Sequence, residues 1–206
     1  MKDQPNPLGA PASALNDIGL HEQITAIENL SDDRFYAIDK LEAHIKNIPH
    51  VAISIFIFKD NRLLLQQRAL TKYHSAGLWA NTVCSHPGWG ESTQDCAHRR
   101  LDEELGWQVP LKRFGSIDYN AKVGDLFENE HVHCFHGQFN DRHDISAFNP
   151  AEVNATEWLT FSEIQQQIES HPQKFTEWFK IYMSEHRHMI NALLTDVSTG
   201  QTNEIF

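Results

Sequence analysis

The sequence has few cysteines and no apolar segment long enough to cross a membrane. The three cysteines, Cys84, Cys96 and Cys134, do not make an even set, so we expect reduced thiols in a cytoplasmic protein. The longest apolar run covers residues 51–58, which is far too short for a bilayer span and is typical of a buried strand. The first residues also lack the apolar stretch of a signal peptide. These absences argue against a disulfide-stabilised secreted domain and against a helical membrane protein.

Basic residues are also in short supply. The chain has 17 Lys and Arg against 28 Asp and Glu, which gives a formal net charge of −11 at pH 7. This balance argues against general binding to nucleic acid or to an anionic membrane, because phosphate polyanions would be repelled. A small anion can still bind where basic residues cluster locally. We therefore expect no nucleic-acid or membrane partner, and a monomer or a homodimer.

The rest of the composition fits one domain with a sizeable core, since 40% of the 206 residues are hydrophobic. Residues 1–35, which include several prolines, are predicted to form a flexible N-terminal arm, and residues 195–206 a polar tail. Patterns within residues 36–194 predict strands at 51–58, 63–67, 78–84, 114–119, 127–138 and 154–159, and helices at 92–105, 162–169 and 176–194. The predicted fold class is α+β, an α/β sandwich in which helices flank a mixed β-sheet.

The helix predicted at residues 92–105 carries paired charges. Ser92 is a good N-cap, and Gly106 is the expected stop. Residues four apart share a helix face, so Arg100 should lie beside Glu104. On an arbitrary helix such spacing indicates a surface ion pair, and only the surrounding sequence favours a binding site.

Two carboxylates share one face of a later strand. Side chains alternate along a strand, so Glu128 and Glu130 point together, while His131 and His133 point to the opposite face. Two like charges this close are unfavourable unless a metal or a basic group joins them. A solvated strand face remains the alternative interpretation.

Three histidines upstream are candidate metal ligands. His44 and His50 can reach one metal only if the chain turns between them, and Asn47 with Pro49 makes such a turn plausible. Together with His86 and the two glutamates they suit Mn²⁺ or Zn²⁺, and Mg²⁺ less naturally. A lone histidine is more often structural. The candidate anion contacts in this acidic chain, each of which could equally be a solvated charge, are Lys40, Arg68, Lys72 and Arg100.

Several motifs, taken together, resemble one family. Residues 85–107 are similar to the Nudix box, although Ser85 stands at its first glycine position and Arg100 replaces a glutamate. The whole set resembles the type I isopentenyl-diphosphate isomerases, a family with the Nudix fold. The resemblance covers roughly residues 36–185 and rests on KLEAH (40–44), VAISIFIF (51–58), LLLQQRAL (63–70), KYH (72–74), GLWANTVCSHP (77–87), WGE (89–91), RRLDEELG (99–106), ENE (128–130) and KFTEW (174–178).

The resemblance implies the isomerisation of isopentenyl diphosphate to dimethylallyl diphosphate, a step of isoprenoid biosynthesis. The catalytic residues that it implies are Cys84, Glu130, Tyr119 and Trp178. The ligands that it implies for one divalent metal are His44, His50, His86, Glu128 and Glu130. It further implies a Mg²⁺ held by Glu104 and the substrate diphosphate. The residues that it implies for binding the diphosphate are Lys40, Arg68, Lys72 and Arg100.

This reaction needs an acid and a base on opposite faces of the allyl unit, because protonation of the alkene makes a tertiary carbocation. We assign the acid to Glu130 and the base to Cys84, whose thiolate a neighbouring cation or metal would favour. Trp178 can stabilise the carbocation through its ring quadrupole. Taken alone, Cys84 would be a small buried residue and Trp178 a core residue. Water must be excluded, and we expect residues 40–50 to close over the substrate.

The main alternative is a Nudix diphosphate hydrolase. Arg100 argues against it, because arginine removes a metal ligand that diphosphate hydrolysis usually needs and adds a diphosphate-binding charge. A hydrolase also has no need of Cys84. A non-catalytic Nudix module that senses a metal or a ligand is the second alternative.

Overall fold

Nine strands join into one mixed β-sheet in the computed structural model, which describes residues 22–140 and 148–198. The strands are β1 (Gln23–Asn29), β2 (Arg34–Asp39), β3 (His50–Lys59), β4 (Arg62–Arg68), β5 (Trp79–Ala80), β6 (Val83–Ser85), β7 (Lys112–Val123), β8 (Leu126–Gln138) and β9 (Val153–Leu159). The helices are α1 (Lys40–Ile45), α2 (Thr93–Leu105), α3 (Phe161–Ser170), α4 (Glu177–Glu185) and α5 (Arg187–Ser198), and a 3₁₀ turn covers Pro172–Lys174. Within the described ranges, none of the helices is both long and apolar enough to cross a membrane.

Strand β3 is the centre of the sheet and is buried along almost its whole length. It pairs in parallel with β8 and antiparallel with β1, β4 and β6. Its side chains alternate between two cores. Ile53, Ile55 and Ile57 pack against α2 on one face, whereas Phe56 and Phe58 pack against α4 and α5 on the other. A mixed sheet with helices on both faces confirms the predicted α+β sandwich.

Helix α2 begins and ends where the sequence predicts. Ser92 Oγ accepts a hydrogen bond from the backbone N–H of Asp95 at 3.0 Å, which satisfies one free donor of the first turn. Gly106 ends the helix with a φ of +69°, a left-handed conformation that glycine adopts without a steric penalty. Both ends are therefore fixed, and with them the positions of Arg100 and Glu104 on the later turns.

The prediction of one continuous strand at residues 78–84 is wrong, because the structure has two short strands, β5 and β6, in its place. Asn81 and Thr82 lie between them and are fully buried. Asn81 Nδ2 donates to the carbonyl of Ile55 at 3.1 Å, and Thr82 Oγ1 donates to the carbonyl of Leu64 at 2.7 Å. These side chains supply hydrogen bonds that a regular strand would take from its backbone, so the apolar pattern continues while the strand does not.

The single helix predicted at residues 176–194 is also wrong, because it divides into α4 and α5 at His186, which has a φ of −117°. Apolar residues from both helices, among them Tyr182 and Ile190, join the same core. The helical spacing of apolar residues therefore continues across the break and does not reveal it.

The predicted N-terminal arm overlaps the sheet and needs correction. Strand β1 lies within residues 1–35, pairs antiparallel with β2, and buries Ile24 and Ala26. The short alternation of this segment is outweighed in the sequence by the prolines that precede it. The predicted polar tail is shortened as well, because α5 extends to Ser198. Residues 1–21 and 199–206, on which the remainder of both predictions falls, lie outside the described residues.

Candidate active site

The site forms at the edge of the sheet where β3 and β8 begin. These strands are parallel, and their register places His50 opposite Glu130. Strands β4 and β6 run antiparallel to β3 and therefore end at the same edge. Arg68 is the last residue of β4, and His86 directly follows β6. The strand order thus brings residues far apart in sequence to one place.

Helix α1 brings a second histidine to this edge. Asp39 caps the helix by accepting from the backbone N–H of Glu42 at 3.1 Å. The chain then turns at Asn47, whose φ is +55°. This turn sets the imidazole rings of His44 and His50 at 4.8 Å between centroids. The turn predicted between these two histidines is therefore present.

Five of the predicted residues form a group that can hold a metal ion, with ligand atoms that all lie within 4.8 Å of one another. They are His44, His50, His86, Glu128 and Glu130. His86 Nε2 lies 2.8 Å from Glu130 Oε1 and 3.2 Å from His50 Nε2. His44 Nε2 lies 3.4 Å from Glu128 Oε2.

The histidine tautomers suit a metal. Nδ1 of His44 donates to the carbonyl of Lys40 at 2.6 Å, and Nδ1 of His50 donates to the carbonyl of Ile48 at 2.8 Å. The Nε2 lone pairs of both rings therefore point into the group. Among the described residues, His44 Nε2 and Glu128 Oε1 are buried with no hydrogen-bond partner. Imidazole and carboxylate ligands of this kind fit a divalent metal.

The charges of the group support the same conclusion. Burial raises the pKa of the Glu128 and Glu130 carboxyls, but the neighbouring histidines outweigh it, and the pKa of each is lowered. Burial and the neighbouring His50 lower the pKa of His86 well below its usual value. Burial also disfavours the charged form of His44, yet the adjacent Glu128 carboxylate leaves the pKa of His44 raised. Two anionic carboxylates beside histidine ligands attract a divalent cation, which would displace the remaining proton from His44.

One cavity is lined by every predicted site residue except His44 and His50, which are fully buried. Tyr119 and Glu130 are joined in it, because the Tyr119 hydroxyl donates to Glu130 Oε2 at 2.7 Å. Burial and the charge of Glu130 raise the pKa of Tyr119, so its hydroxyl stays a donor. Trp178 both lines the cavity and packs in the core. The Arg68 guanidinium lies 5.3 Å from the Trp178 ring centroid, in cation–π contact.

The surroundings of Cys84 favour its neutral thiol over the thiolate that a base requires. Cys84 Sγ donates to Asn81 Oδ1 at 3.0 Å and lies 3.4 Å from Ser54 Oγ. Burial raises the pKa of the Cys84 thiol to about 12, because the thiolate would lose its hydration while its two hydrogen-bonding neighbours are neutral.

The same cavity is lined by a basic cluster made of the four predicted anion contacts, Lys40, Arg68, Lys72 and Arg100. Arg100 Nη2 donates to Glu104 Oε1 at 2.7 Å, so the ion pair predicted on α2 lies in the site and not on an open surface. Gln66 Nε2 donates to the second oxygen of Glu104 at 3.0 Å. Burial lowers the pKa of Lys40, although its charge still faces the cavity.

Some residues of the cavity were missed in the sequence. They are Gln66, Tyr73, His74, Ser85 and Glu152. His74 Nε2 lies 3.4 Å from Glu128 Oε1, and its place in the KYH motif was the signal that could have found it. Glu152 contacts Lys72 and Arg100 across the cavity, and no periodic pattern marks it in the sequence.

The raised pKa of Cys84 predicts slow alkylation. At pH 7.5 only a very small fraction of a thiol with a pKa of about 12 is ionised, and the thiolate is the reactive form. The rate of iodoacetamide reaction at Cys84 should therefore rise about tenfold per pH unit from pH 7 to pH 10. Peptide mass spectrometry of the folded protein measures this rate, with denatured protein as the control. A rate at Cys84 that levels off below pH 9 would contradict the protonated thiol.

Comparisons with known proteins define the class. The family model of the NUDIX domain matches residues 48–179. A solved structure of a protein from Deinococcus radiodurans matches with a TM-score of 0.58 at 15% identity, covering 73% of this chain and 90% of that one. A NUDIX hydrolase from Nitrosomonas europaea matches with a TM-score of 0.53 at 17% identity, covering 68% and 89%. The chain is thus a Nudix-domain protein.

Curated relatives narrow this class. A Rhodobacter capsulatus protein named isopentenyl-diphosphate Delta-isomerase is 44% identical over 155 residues, which cover 74% of this chain and 88% of the relative. A protein of the same name from a Jannaschia species is 45% identical over 161 residues, or 77% and 91% of the two chains. The chain belongs to the isopentenyl-diphosphate Delta-isomerase family, as the sequence motifs indicated.

Proposed function

We propose that the protein interconverts isopentenyl diphosphate and dimethylallyl diphosphate, as the names of its relatives indicate for those proteins. The observation that carries the proposal is one cavity that combines two kinds of side chain. The thiol of Cys84, the Tyr119–Glu130 pair and the ring of Trp178 line it together with the basic cluster. Such a cavity suits a short hydrocarbon chain joined to a diphosphate.

The basic cluster binds the diphosphate in this proposal. Arg100 can bind phosphate oxygens with its planar guanidinium while it keeps its contact with Glu104. A Mg²⁺ at Glu104 and the diphosphate would neutralise part of the charge, and a Mn²⁺, Zn²⁺ or Mg²⁺ in the five-residue group would hold Glu130 ionised and in place. Arg68 connects the basic cluster with Trp178, since its guanidinium contacts the Trp178 ring.

Proton transfer involves Cys84 and Glu130 in this proposal. The reaction adds a proton to the terminal methylene and removes one from the carbon next to the diphosphate-bearing carbon. Burial raises the pKa of the Cys84 thiol, whereas the histidines beside Glu130 outweigh burial and lower the pKa of its carboxyl. We therefore assign the first donation to Cys84 and the acceptance to Glu130, with Tyr119 holding the carboxylate, which reverses the roles assigned from the sequence. The alkylation measurement described above tests the resting state on which this order depends.

Trp178 stabilises the carbocation between the two transfers. Its indole ring is almost fully buried, with 3% of its surface exposed, and it lines the cavity. The ring face attracts positive charge without offering a nucleophile that would trap the cation. Residues 40–50, which carry Lys40 and His44, remain our candidate for the segment that closes over the substrate.

The cellular setting that we propose is the cytoplasm. The chemistry needs a free thiol at Cys84, and none of the three cysteines is in a disulfide in the structure. A monomer or a homodimer is compatible with the proposal, because the residues of the cavity come from one chain.

Incubation of isopentenyl diphosphate with the protein and Mg²⁺ in deuterated water tests the reaction. We expect dimethylallyl diphosphate that carries deuterium in the methyl group formed by protonation, detected by NMR. A Nudix hydrolase would instead release phosphate or a monophosphate ester. Absence of both the isomer and deuterium uptake would remove the isomerase proposal.

A further inference from the structure

One carboxylate in the cavity takes no part in the proposed reaction. Glu152 precedes β9 directly, and 20% of its side-chain surface is exposed. Its Oε2 atom accepts hydrogen bonds from the ammonium group of Lys72 and, at 3.1 Å, from Nη2 of Arg100. Both cations are ones that the proposed function assigns to the substrate diphosphate. Glu152 therefore partly neutralises the two cations that would bind the substrate diphosphate.

The backbone fixes Glu152 in this position. Its carbonyl accepts from the N–H of Ala69 at 2.9 Å, and its own N–H donates to the carbonyl of Asn149 at 3.0 Å. The next residue, Val153, is fully buried and pairs with Arg68. Glu152 is thus attached to the end of β4, from which Arg68 and Lys72 also enter the cavity. A side chain held in this way keeps its contact with the two cations at little cost in conformational entropy.

Glu152 is anionic at neutral pH. Burial raises the pKa of its carboxyl, but the charges of Arg100 and Lys72 outweigh burial, and the pKa is lowered. The carboxylate therefore orients the two cations while the substrate is absent. It also repels the diphosphate that approaches them.

Repulsion of the diphosphate can be useful in this reaction, because the product must leave the same site that binds the substrate. Substrate and product differ only in the position of a double bond, so both present the same diphosphate to the basic cluster. Stronger diphosphate binding therefore strengthens the binding of substrate and product equally and does not accelerate the chemical step. We propose, on the basis of the proposed function, that Glu152 is an internal counter-ion that positions Lys72 and Arg100 and weakens diphosphate binding so that the product leaves.

Glu152→Gln tests the inference, because glutamine keeps the size and a carbonyl acceptor but removes the charge. The dissociation constant of inorganic pyrophosphate, measured by calorimetry at fixed Mg²⁺, should fall about tenfold. The KM for isopentenyl diphosphate should fall in parallel, whereas kcat should not rise. A residue that only supports the fold would not produce this division between KM and kcat.

Two variants serve as controls. Glu152→Asp keeps the charge and should leave the dissociation constant within about threefold of the wild-type value. Glu28→Gln removes an exposed carboxylate that pairs with Arg34 at 3.5 Å and does not line the cavity, so pyrophosphate binding should be unchanged. If Glu152→Gln does not fold, Glu152→Ser removes the same charge and takes its place.

The results separate this inference from the proposed function, because pyrophosphate binding requires no turnover. If the wild-type protein does not isomerise isopentenyl diphosphate, the proposed reaction is wrong. If Glu152→Gln nevertheless binds pyrophosphate more tightly than the wild type, the role of Glu152 as a counter-ion is still supported. Unchanged or weaker pyrophosphate binding by Glu152→Gln of an active isomerase would overturn the counter-ion role alone.

Discussion

Cys84→Ala is expected to lower the turnover of isopentenyl diphosphate by about 10²–10⁴-fold, the usual contribution of one positioned acid or base. The thiol lines the cavity with Glu130, and in the proposed order it supplies the first proton. Alanine cannot transfer a proton, and a water molecule in its place would be poorly positioned. The change should act mainly on kcat, because the basic residues that bind the diphosphate are unchanged.

The fold should survive this substitution. Alanine loses two hydrogen bonds, to Asn81 and Ser54, at a cost of roughly 1–3 kcal/mol. Cys96→Ala is the matched control, because Cys96 is equally a free thiol but lies on α2, buried against the opposite face of the sheet. It should keep near wild-type turnover. Wild-type turnover in Cys84→Ala, with a melting curve like that of the parent, would remove Cys84 from the catalytic pair.

Much of the metal group could be predicted from the sequence, because the positions of several of its residues follow from local backbone geometry. Strand alternation puts Glu128 and Glu130 on one face, and the turn at Asn47 lets His44 approach His50. Local rules do not give the register between strands. The pairing of His50 with Glu130 joins residues eighty positions apart, and only the resemblance to a family supplied it in advance.

Other features depend on the environment of a residue and were not predictable. The pKa of Cys84 is set by burial, which follows from the packing of the layers on either side of β6, and not by the motif around it. Glu152 directly precedes β9, and a single carboxylate before a strand has no periodic pattern in the sequence. Its contacts with Lys72 and Arg100 appear only once β9 pairs with β4. Strand β1 was missed for a similar reason, because its alternation is short.

The departure from the Nudix box now has a structural explanation. Arg100 replaces a glutamate of the box, and its guanidinium lies between Glu104 at 2.7 Å and Glu152 at 3.1 Å. A cation held between two carboxylates is kept charged, and the pKa of Arg100 is raised accordingly even though burial opposes it. The position that would hold a metal ligand in a hydrolase thus holds a charge that can bind a diphosphate without cleaving it.

His86→Ala is expected to remove most of the bound divalent metal. His86 Nε2 lies between His50 and Glu130 and contacts both, so alanine deletes a ligand from the middle of the group. Changes to outer-shell partners already weaken metal affinity by about 10–100-fold, and loss of a direct ligand should exceed that. Metal content after dialysis, measured by mass spectrometry, should fall well below the wild-type value, and isomerisation should fall with it.

Thermal stability provides an independent measurement of the same loss. A metal present at about 100 times its dissociation constant stabilises a folded protein by roughly 2.7 kcal/mol, which for a chain of this size raises Tm by roughly 5–10 °C. Wild-type protein should show this rise when metal is added after chelation, whereas His86→Ala should show little. His131→Ala is the matched control, because His131 lies on the same strand as Glu130 but pairs with Asp118 on the opposite face, and it should respond like the wild type. Equal metal content and equal Tm shifts in His86→Ala and His131→Ala would exclude His86 as a ligand.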